Sequence, residues 1–142
     1  MLTLTIPDTE YFNEQTFEFI PIKGRTIKLE HSLVSLSKWE SKWCKPFWSK
    51  EPKTKEEEKD YIRCMVIDRN TPKHIIGMIS EDYLSEINNY INSKMTATTF
   101  SDIHKPISTS EVITSELIYY WMISLNIPFE CQKWHLNKLL TL

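Results

Sequence analysis

The spacing of the apolar residues changes once along this chain, from every second residue to a helical repeat. Residues 2–6 alternate apolar and polar side chains, and residues 25–30 do so again. Such alternation is typical of strands that bury one face. Together with an extended stretch near residues 16–22, it predicts a small N-terminal antiparallel sheet of two or three strands within residues 2–30. The Lys23-Gly24 pair fits a tight turn in that sheet, because glycine tolerates positive φ.

Beyond this segment the pattern is helical, with recognisable helix starts. Ser32 or Ser35 is placed to cap a helix that runs to about Cys44. Thr54 followed by Glu57 matches a capping box, in which each side chain binds a free backbone N–H. Further helices are predicted after Ser80, from Ser110 and from about Phe129, with short extended pieces at 74–79 and 96–100. The sequence therefore predicts one α+β domain over residues 1–142, with four or five packed helices from about 32 to 142.

The helix predicted from Ser110 is apolar around most of its circumference. Leu117 and Trp121 lie on one side of it, and Ile118 and Met122 lie beside them. A helix of this kind is normally buried on all sides. We therefore expect it at the centre of the core.

Composition argues against several classes of function. Only two glycines occur, whereas phosphate-binding loops need clustered glycines so that backbone N–H groups can approach the ligand. The net charge of −2 gives no surplus of cations for neutralising nucleic-acid phosphates. The longest apolar run, residues 117–123, is far shorter than the roughly 20 residues of a membrane-spanning helix. Three widely spaced cysteines do not fit a secreted disulfide framework and favour a reducing cytoplasm.

No arrangement of polar residues predicts catalysis or a cofactor. Cys131 and His135 are four residues apart and share a face if the segment is helical. A metal site needs three or four ligands, however, and the other histidines are scattered. We therefore expect a protein that is not an enzyme and that holds no metal or cofactor. The last two predicted helices have the outline of a helix-turn-helix, but the second carries Trp134 and three leucines where a groove-reading helix needs a polar face.

Aromatic residues are concentrated in one short block. Trp39, Trp43 and Trp48 lie within ten residues, among several lysines. Large aromatic side chains dominate buried area in both cores and interfaces, so this block faces either the interior or a partner. Trp39 and Trp43 are four residues apart and fit one buried face of a helix, with lysine stems covering them from the solvent side.

Outside this helical pattern, two aromatic side chains are candidates for protein binding. Phe47 and Trp48 follow Pro46, and an exposed apolar patch there would mark a binding surface. Two lysines would form its charged rim, and two residues of the last predicted helix are further candidates. The predicted partner-binding residues are Phe47, Trp48, Lys45, Lys50, Trp134 and Leu139.

Three stretches of the sequence resemble a known family. They are residues 29–43 (LEHSLVSLSKWESKW), residues 95–100 (MTATTF), and residues 113–122 (ITSELIYYWM) with the later 134–137 (WHLN). These strings are similar to those of the small tail assembly chaperones of siphophages and related prophages. The similarity extends over nearly the whole chain.

The resemblance implies a non-catalytic protein of the host bacterial cytoplasm. Members of this family coat the long, apolar, helical tape measure protein before the tail tube forms round it. The expected partner is therefore the tape measure protein, with self-association left open, and with neither nucleic acid nor a membrane as a partner. Two alternatives remain: another tail morphogenesis or structural protein that stays in the virion, and a small nucleic-acid-binding regulator.

Overall fold

The computed structural model describes residues 1–97 and 112–142. Within these ranges the chain forms four β-strands, six α-helices and one 3₁₀ turn. The strands are β1 (Leu2–Ile6), β2 (Thr9–Asn13), β3 (Glu18–Ile22) and β4 (Arg25–Leu29). The helices are α1 (Leu33–Trp43), α2 (Lys55–Met65), α3 (Lys73–Gly77), α4 (Glu81–Ile91), α5 (Ser115–Ser124) and α6 (Leu136–Leu139), and the 3₁₀ turn is Phe129–Lys133. Two small antiparallel sheets followed by helices confirm the predicted α+β class.

All four strands belong to one long β-hairpin. β1 pairs antiparallel with β4, and β2 pairs antiparallel with β3. In both ladders the numbers of paired residues sum to 31, as for Leu4 with Ile27 and Phe12 with Phe19, so one register runs through the two sheets. We call the β1–β4 half the base of the hairpin and residues 9–22 the arm. The base contributes side chains to the core, whereas nearly every side chain of the arm is exposed.

Gly24 allows the two strands to approach closely where the ladders are interrupted. A Cβ atom there would lie 2.1 Å from the carbonyl oxygen of Ile6 and 2.4 Å from the carbonyl carbon of Pro7. The Gly24 N–H donates a hydrogen bond to Asp8 Oδ1 at 2.5 Å. The turn predicted at this glycine is wrong, because the chain reverses at residues 14–17 and this glycine has no positive φ. Close approach of the opposite strand is what requires glycine here.

The core lies between the base of the hairpin and the helices. Leu4 and Ile27 of the strands and Trp39 of α1 are all at most 2% exposed. The segment after α2 lies beside β4, where the Ile67 N–H donates to the Lys28 carbonyl oxygen at 3.0 Å. β4 is therefore held on both edges, by β1 and by this segment.

Two predicted helix starts are confirmed by reciprocal capping. At the start of α1, the Ser35 N–H donates to the Ser32 hydroxyl, and the Ser32 N–H donates to the Ser35 hydroxyl. Thr54 and Glu57 make the equivalent pair of hydrogen bonds at the start of α2. Each pair satisfies two backbone donors that have no partner inside the helix.

Other elements differ from the prediction. Residues 73–77 form α3, not the extended piece expected at 74–79. The helix predicted from Phe129 is a 3₁₀ turn followed by the four-residue α6, because His135 caps a new helix there. α6 is too short to be the second helix of a helix-turn-helix. Of the piece predicted at 96–100, residues 96 and 97 are not in a strand, and the rest lies outside the described residues.

One carboxylate joins the start of α5 to the end of α1. Thr114 caps α5, whereas the predicted start at Ser110 lies outside the described residues. Glu40 Oε2 accepts hydrogen bonds from the Ser115 N–H at 2.8 Å and from the Ser115 hydroxyl at 2.5 Å. Glu40 Oε1 accepts the Phe47 N–H at 3.1 Å. The two donors of Ser115 set where α5 begins relative to α1, and the Phe47 N–H ties the chain after Pro46 to the same carboxylate.

Candidate protein-binding surfaces

The tryptophan and lysine block forms the seam between α1 and α2. Trp39 is fully buried, and its indole N–H donates to the Glu57 carbonyl oxygen at 2.9 Å. Trp43 is half-buried, and its indole N–H donates to Asp60 Oδ2 at 2.9 Å. Lys42 reaches the other oxygen of the same carboxylate, at 2.6 Å. The two tryptophans therefore face the interior, Trp39 completely and Trp43 in part.

Ion pairs along this seam hold two carboxylates in the charged form. Burial raises the pKa of Asp60, but hydrogen bonds from Lys42 and Trp43 oppose it, and the net pKa lies below its usual value. A hydrogen bond from Lys45 lowers the pKa of Glu57. A lowered carboxylate pKa favours lasting ion pairing over proton transfer near neutral pH. The seam is thus a structural contact between two helices.

Phe47 does not lie on the surface, so that expectation is wrong. Its side chain is only 9% exposed. Its ring centroid lies 5.3 Å from that of Trp39 and 4.4 Å from that of Tyr61. The physical reason is that the chain after Pro46 turns back over α1 and α2, so the ring fills the end of their seam.

The other predicted binding residues are divided between surface and core. Trp48 is 39% exposed and Trp134 is 38% exposed. Lys50 is exposed, whereas Lys45 is half-buried in its ion pair. Leu139 is only 4% exposed, so its expected place on the surface is wrong, because α6 turns that side towards the core. Partner binding by the exposed members of this set stays a prediction.

Helix α5 lies on the surface, which corrects the expectation that it forms the centre of the core. Only Ser115, Ile118 and Met122 of this helix are buried. Apolar side chains of the helix and of the residues after it are 37–67% exposed: Tyr120, Trp121, Ile123, Leu125 and Phe129. We call these five residues the α5 face. Exposed apolar side chains close together in the chain make this helix a candidate binding surface.

The arm carries a second exposed apolar surface. Tyr11, Phe12, Phe19 and Ile20 are 42–66% exposed. The register places Tyr11 opposite Ile20 on one face and Phe12 opposite Phe19 on the other. The two phenylalanine rings have centroids 5.2 Å apart. Both faces of the arm are therefore apolar, and both are open to solvent.

Phe17, in the turn at the tip of the arm, is 80% exposed, more than any other large apolar side chain among the described residues. Its φ is 54°, in the left-handed region that a bulky side chain disfavours. The Gln15 N–H donates to Asn13 Oδ1 at 3.0 Å and helps to close this turn. Strained backbone persists mainly where function needs it, so the tip is a candidate contact point.

A buried polar cluster ties the end of β4 to the C-terminal part of the chain. His31 and His135 are at most 3% exposed, and their ring centroids lie 5.2 Å apart. His31 Nδ1 shares a hydrogen bond with the Tyr61 hydroxyl, and the His135 Nε2–H donates to the Tyr90 carbonyl oxygen at 2.9 Å. Burial, with a smaller effect of His135, lowers the pKa of His31 to about 4. His31 is therefore neutral at physiological pH.

The part of the chain that the structure describes contains no group of three or more His, Cys, Asp or Glu side chains able to hold a metal ion. Cys131 lies in the 3₁₀ turn and His135 caps α6, so the two do not share one helix face. Within residues 1–97 and 112–142, no helix is long and apolar enough to cross a membrane.

Comparison with known proteins gives no neighbour for this chain. No protein-family model matches it, and neither a curated protein nor a solved structure is detectably similar. The α5 face and the arm are therefore the structural features from which a function is inferred.

Proposed function

We propose that this protein is a tail assembly chaperone of a long-tailed bacteriophage, which binds the tape measure protein in the host cytoplasm and keeps it soluble. The resemblance of residues 29–43 and 113–122 to that family supports this proposal. One structural feature supports it independently: helix α5 is apolar on most sides, yet only three of its residues are buried. A protein that covers a client needs such a surface and needs no catalytic residue.

The α5 face has the chemistry to cover an apolar helix. Tyr120 and Trp121 offer large rings with polar edges, and Ile123 and Leu125 add aliphatic surface. An amphipathic client helix would lay its apolar stripe on these side chains, with contacts three or four residues apart. Covering that stripe lowers the concentration of free, aggregation-prone client.

The α5 face stands on a fixed support, which favours binding. Ile118 and Met122 fix the inner side of α5 in the core, and Glu40 holds its first turn. A surface that is already ordered loses little conformational entropy when a client binds. We therefore expect the client to adapt to α5, with little change in the chaperone.

Co-expression with the tape measure protein of the same phage tests the proposal. We expect the tape measure protein to become soluble and to co-purify with this chain. The measurement is the soluble fraction of the client, with and without the chaperone, together with its recovery on a tagged chaperone. An unchanged soluble fraction without co-purification would refute the proposal.

Two tryptophans provide a matched pair of variants for locating the client. Trp121 of the α5 face is 37% exposed, and Trp48 of the sequence-predicted patch is 39% exposed. Trp121→Ser should weaken client binding about tenfold or more. Trp48→Ser should leave it nearly unchanged. If Trp48→Ser weakened binding more than the α5 variant, the client site would lie near Trp48 and not on α5.

Mass spectrometry of purified virions tests whether the protein acts only during assembly. A chaperone leaves before the tail is complete, so we expect its peptides to be missing from virions. Stoichiometric amounts in the virion would instead favour a tail structural protein. A salt-sensitive gel shift with nucleic acid would favour a regulator, because phosphate contacts weaken as salt rises.

A further inference from the structure

A cleft lies at the end of the hairpin opposite to the arm. It has a volume of about 370 Å³ and lies among the end of β4, the start of α1 and the end of α2. This volume falls in the range of pockets that bind small organic groups, roughly 300–1,000 Å³. Its apolar wall includes Val34, Val66 and Ile67, and its cations are Lys38, Arg69 and Lys133. We call it the cationic cleft.

The arm and the cationic cleft carry opposite charges. The arm contains Glu10, Glu14 and Glu18, and no Lys, Arg or His occurs between residues 9 and 22. The three cations of the cleft form no ion pair with any residue in the described ranges. The one acid of the cleft lining, Glu30, is paired with the amino group of Met1 at 3.1 Å. Contact between two arms would bring like charges together, whereas contact between arm and cleft pairs opposite charges.

We propose that the arm of one molecule docks in the cationic cleft of a second copy of this chain, with Phe17 entering the cleft. A chain cannot fill its own cleft, because the tip and the cleft lie at opposite ends of the hairpin, roughly 40 Å apart along the strands. The contact therefore joins two different surfaces, head to tail. An open assembly of this kind leaves one arm and one cleft unused at its ends. Such contacts require no client, so they can hold whether or not the protein is a chaperone.

The exposed area of the arm allows a weak, transient contact with the cleft. A fully exposed aromatic side chain has about 200 Å² of surface. At exposures of 42–80%, Tyr11, Phe12, Phe17 and Phe19 together present roughly 500 Å² in each copy. The cleft covers only the part of this area that lies near Phe17, so the contact is smaller than the roughly 1,000 Å² of a stable interface and is transient. The association should therefore depend on protein concentration.

Sedimentation velocity of the full chain over a series of concentrations tests this contact. We expect the average mass to rise with concentration and the association to weaken at high salt. The screening length falls from about 10 Å at 0.1 M salt to about 3 Å at 1 M, so opposite charges attract less. A wild-type chain that stays monomeric at every soluble concentration would overturn the proposal.

Two sets of substitutions separate the arm from the cleft. Phe17→Asn removes the ring but keeps a residue that tolerates the left-handed backbone, so the arm stays folded. Lys38→Glu with Lys133→Glu reverses two charges of the cleft. Each variant should associate about tenfold or more weakly than wild type. As a matched control, Lys55→Glu with Lys59→Glu reverses two exposed charges of α2 and should leave association unchanged.

A mixture of the two variants distinguishes head-to-tail contact from symmetric contact. The arm variant keeps an intact cleft, and the cleft variant keeps an intact arm. At a concentration at which the wild type associates, each variant alone should be mainly monomeric, while an equal mixture should form a dimer that grows no further. A mixture that stays monomeric, a control pair that weakens association equally, or a cleft variant that self-associates as strongly as wild type would each overturn the proposal. Circular dichroism of every variant confirms that it is folded.

Discussion

The base and the arm of the hairpin share one register but have different surroundings. In the base, Leu4 and Ile27 form a cross-strand pair and are at most 2% exposed. In the arm, Phe12 and Phe19 form an equivalent pair and remain 42% and 66% exposed. Residue type and pairing are therefore not enough to decide burial. The helices bury only that half of the hairpin that they reach.

The base and the arm also differ in what their apolar side chains contribute. The base buries apolar area within the chain and so stabilises the fold. The arm leaves its apolar area exposed, as the α5 face does, and both are candidate binding surfaces. A two-stranded hairpin alone is only marginally stable in water, so the arm depends on the register that it shares with the base. Substitutions in the base and in the arm should therefore change the free energy of unfolding by different amounts.

The largest expected difference is between truncations in the two halves. Leu29→Ala removes a fully buried side chain of the base and should lower the free energy of unfolding by about 2–5 kcal/mol. Phe19→Ala removes an exposed side chain of the arm and should change it by less than about 0.5 kcal/mol. Urea denaturation of both variants measures these values. A similar loss in both would show that the arm is packed within the chain.

The next effect concerns the junction between the halves. Gly24→Ala places a Cβ against the backbone of Ile6 and Pro7 and should destabilise the fold by about 1–3 kcal/mol. Gly77 is the matched control, because nothing lies within 4 Å of a Cβ added there. Gly77→Ala should be neutral or stabilising by up to about 1 kcal/mol. Thermal unfolding compares the two, and equal behaviour would contradict the close strand contact at Gly24.

The third effect is gradual with pH and concerns His31, which follows β4 at the end of the base. The folded-state pKa of His31 is about 4, below its ordinary value of 6.5, so the unfolded chain binds more protons between these values. Stability from this group is therefore complete above about pH 6.5 and falls towards pH 4, by at most about 1.4 kcal/mol per pH unit. Urea denaturation at several pH values measures the slope. His31→Gln should flatten it, whereas replacement of exposed His74 by Gln should not; equal slopes in all three chains would refute the role of His31.

Elements whose signals are local could be predicted from the sequence. The capping residues of α1 and α2 lie three positions apart in the chain, so the pattern alone reveals both helix starts. The sequence does not reveal β2, because Tyr11 and Phe12 are adjacent and interrupt the alternation of apolar and polar residues. α3 was mistaken for an extended piece because Ile75 and Ile76 are β-branched, and the core, which buries both, overrides that preference.

The candidate surfaces were harder to predict, because periodicity reports which side chains are apolar and not what covers them. Trp121 lies on an apolar helix, which the pattern cannot distinguish from a core helix. Phe47 follows a proline and was expected outside, but tertiary packing against Trp39 buries it. The arm does leave one signal: residues 9–22 combine apolar residues on both strand faces with three glutamates and no cation. A pair of strands with apolar side chains on both faces and several acidic residues is a candidate binding element.

Of the three hydrogen bonds that Glu40 accepts, two come from Ser115, so this single side chain ties the first turn of α5 to α1. Ile118 and Met122 anchor the middle of α5 in the core, and the buried Ser115 anchors its first turn through Glu40. A substitution of Glu40 should therefore shift the position of the exposed rings of α5 without changing those residues. Under the proposed function, such a substitution would change client preference from a position outside the α5 face.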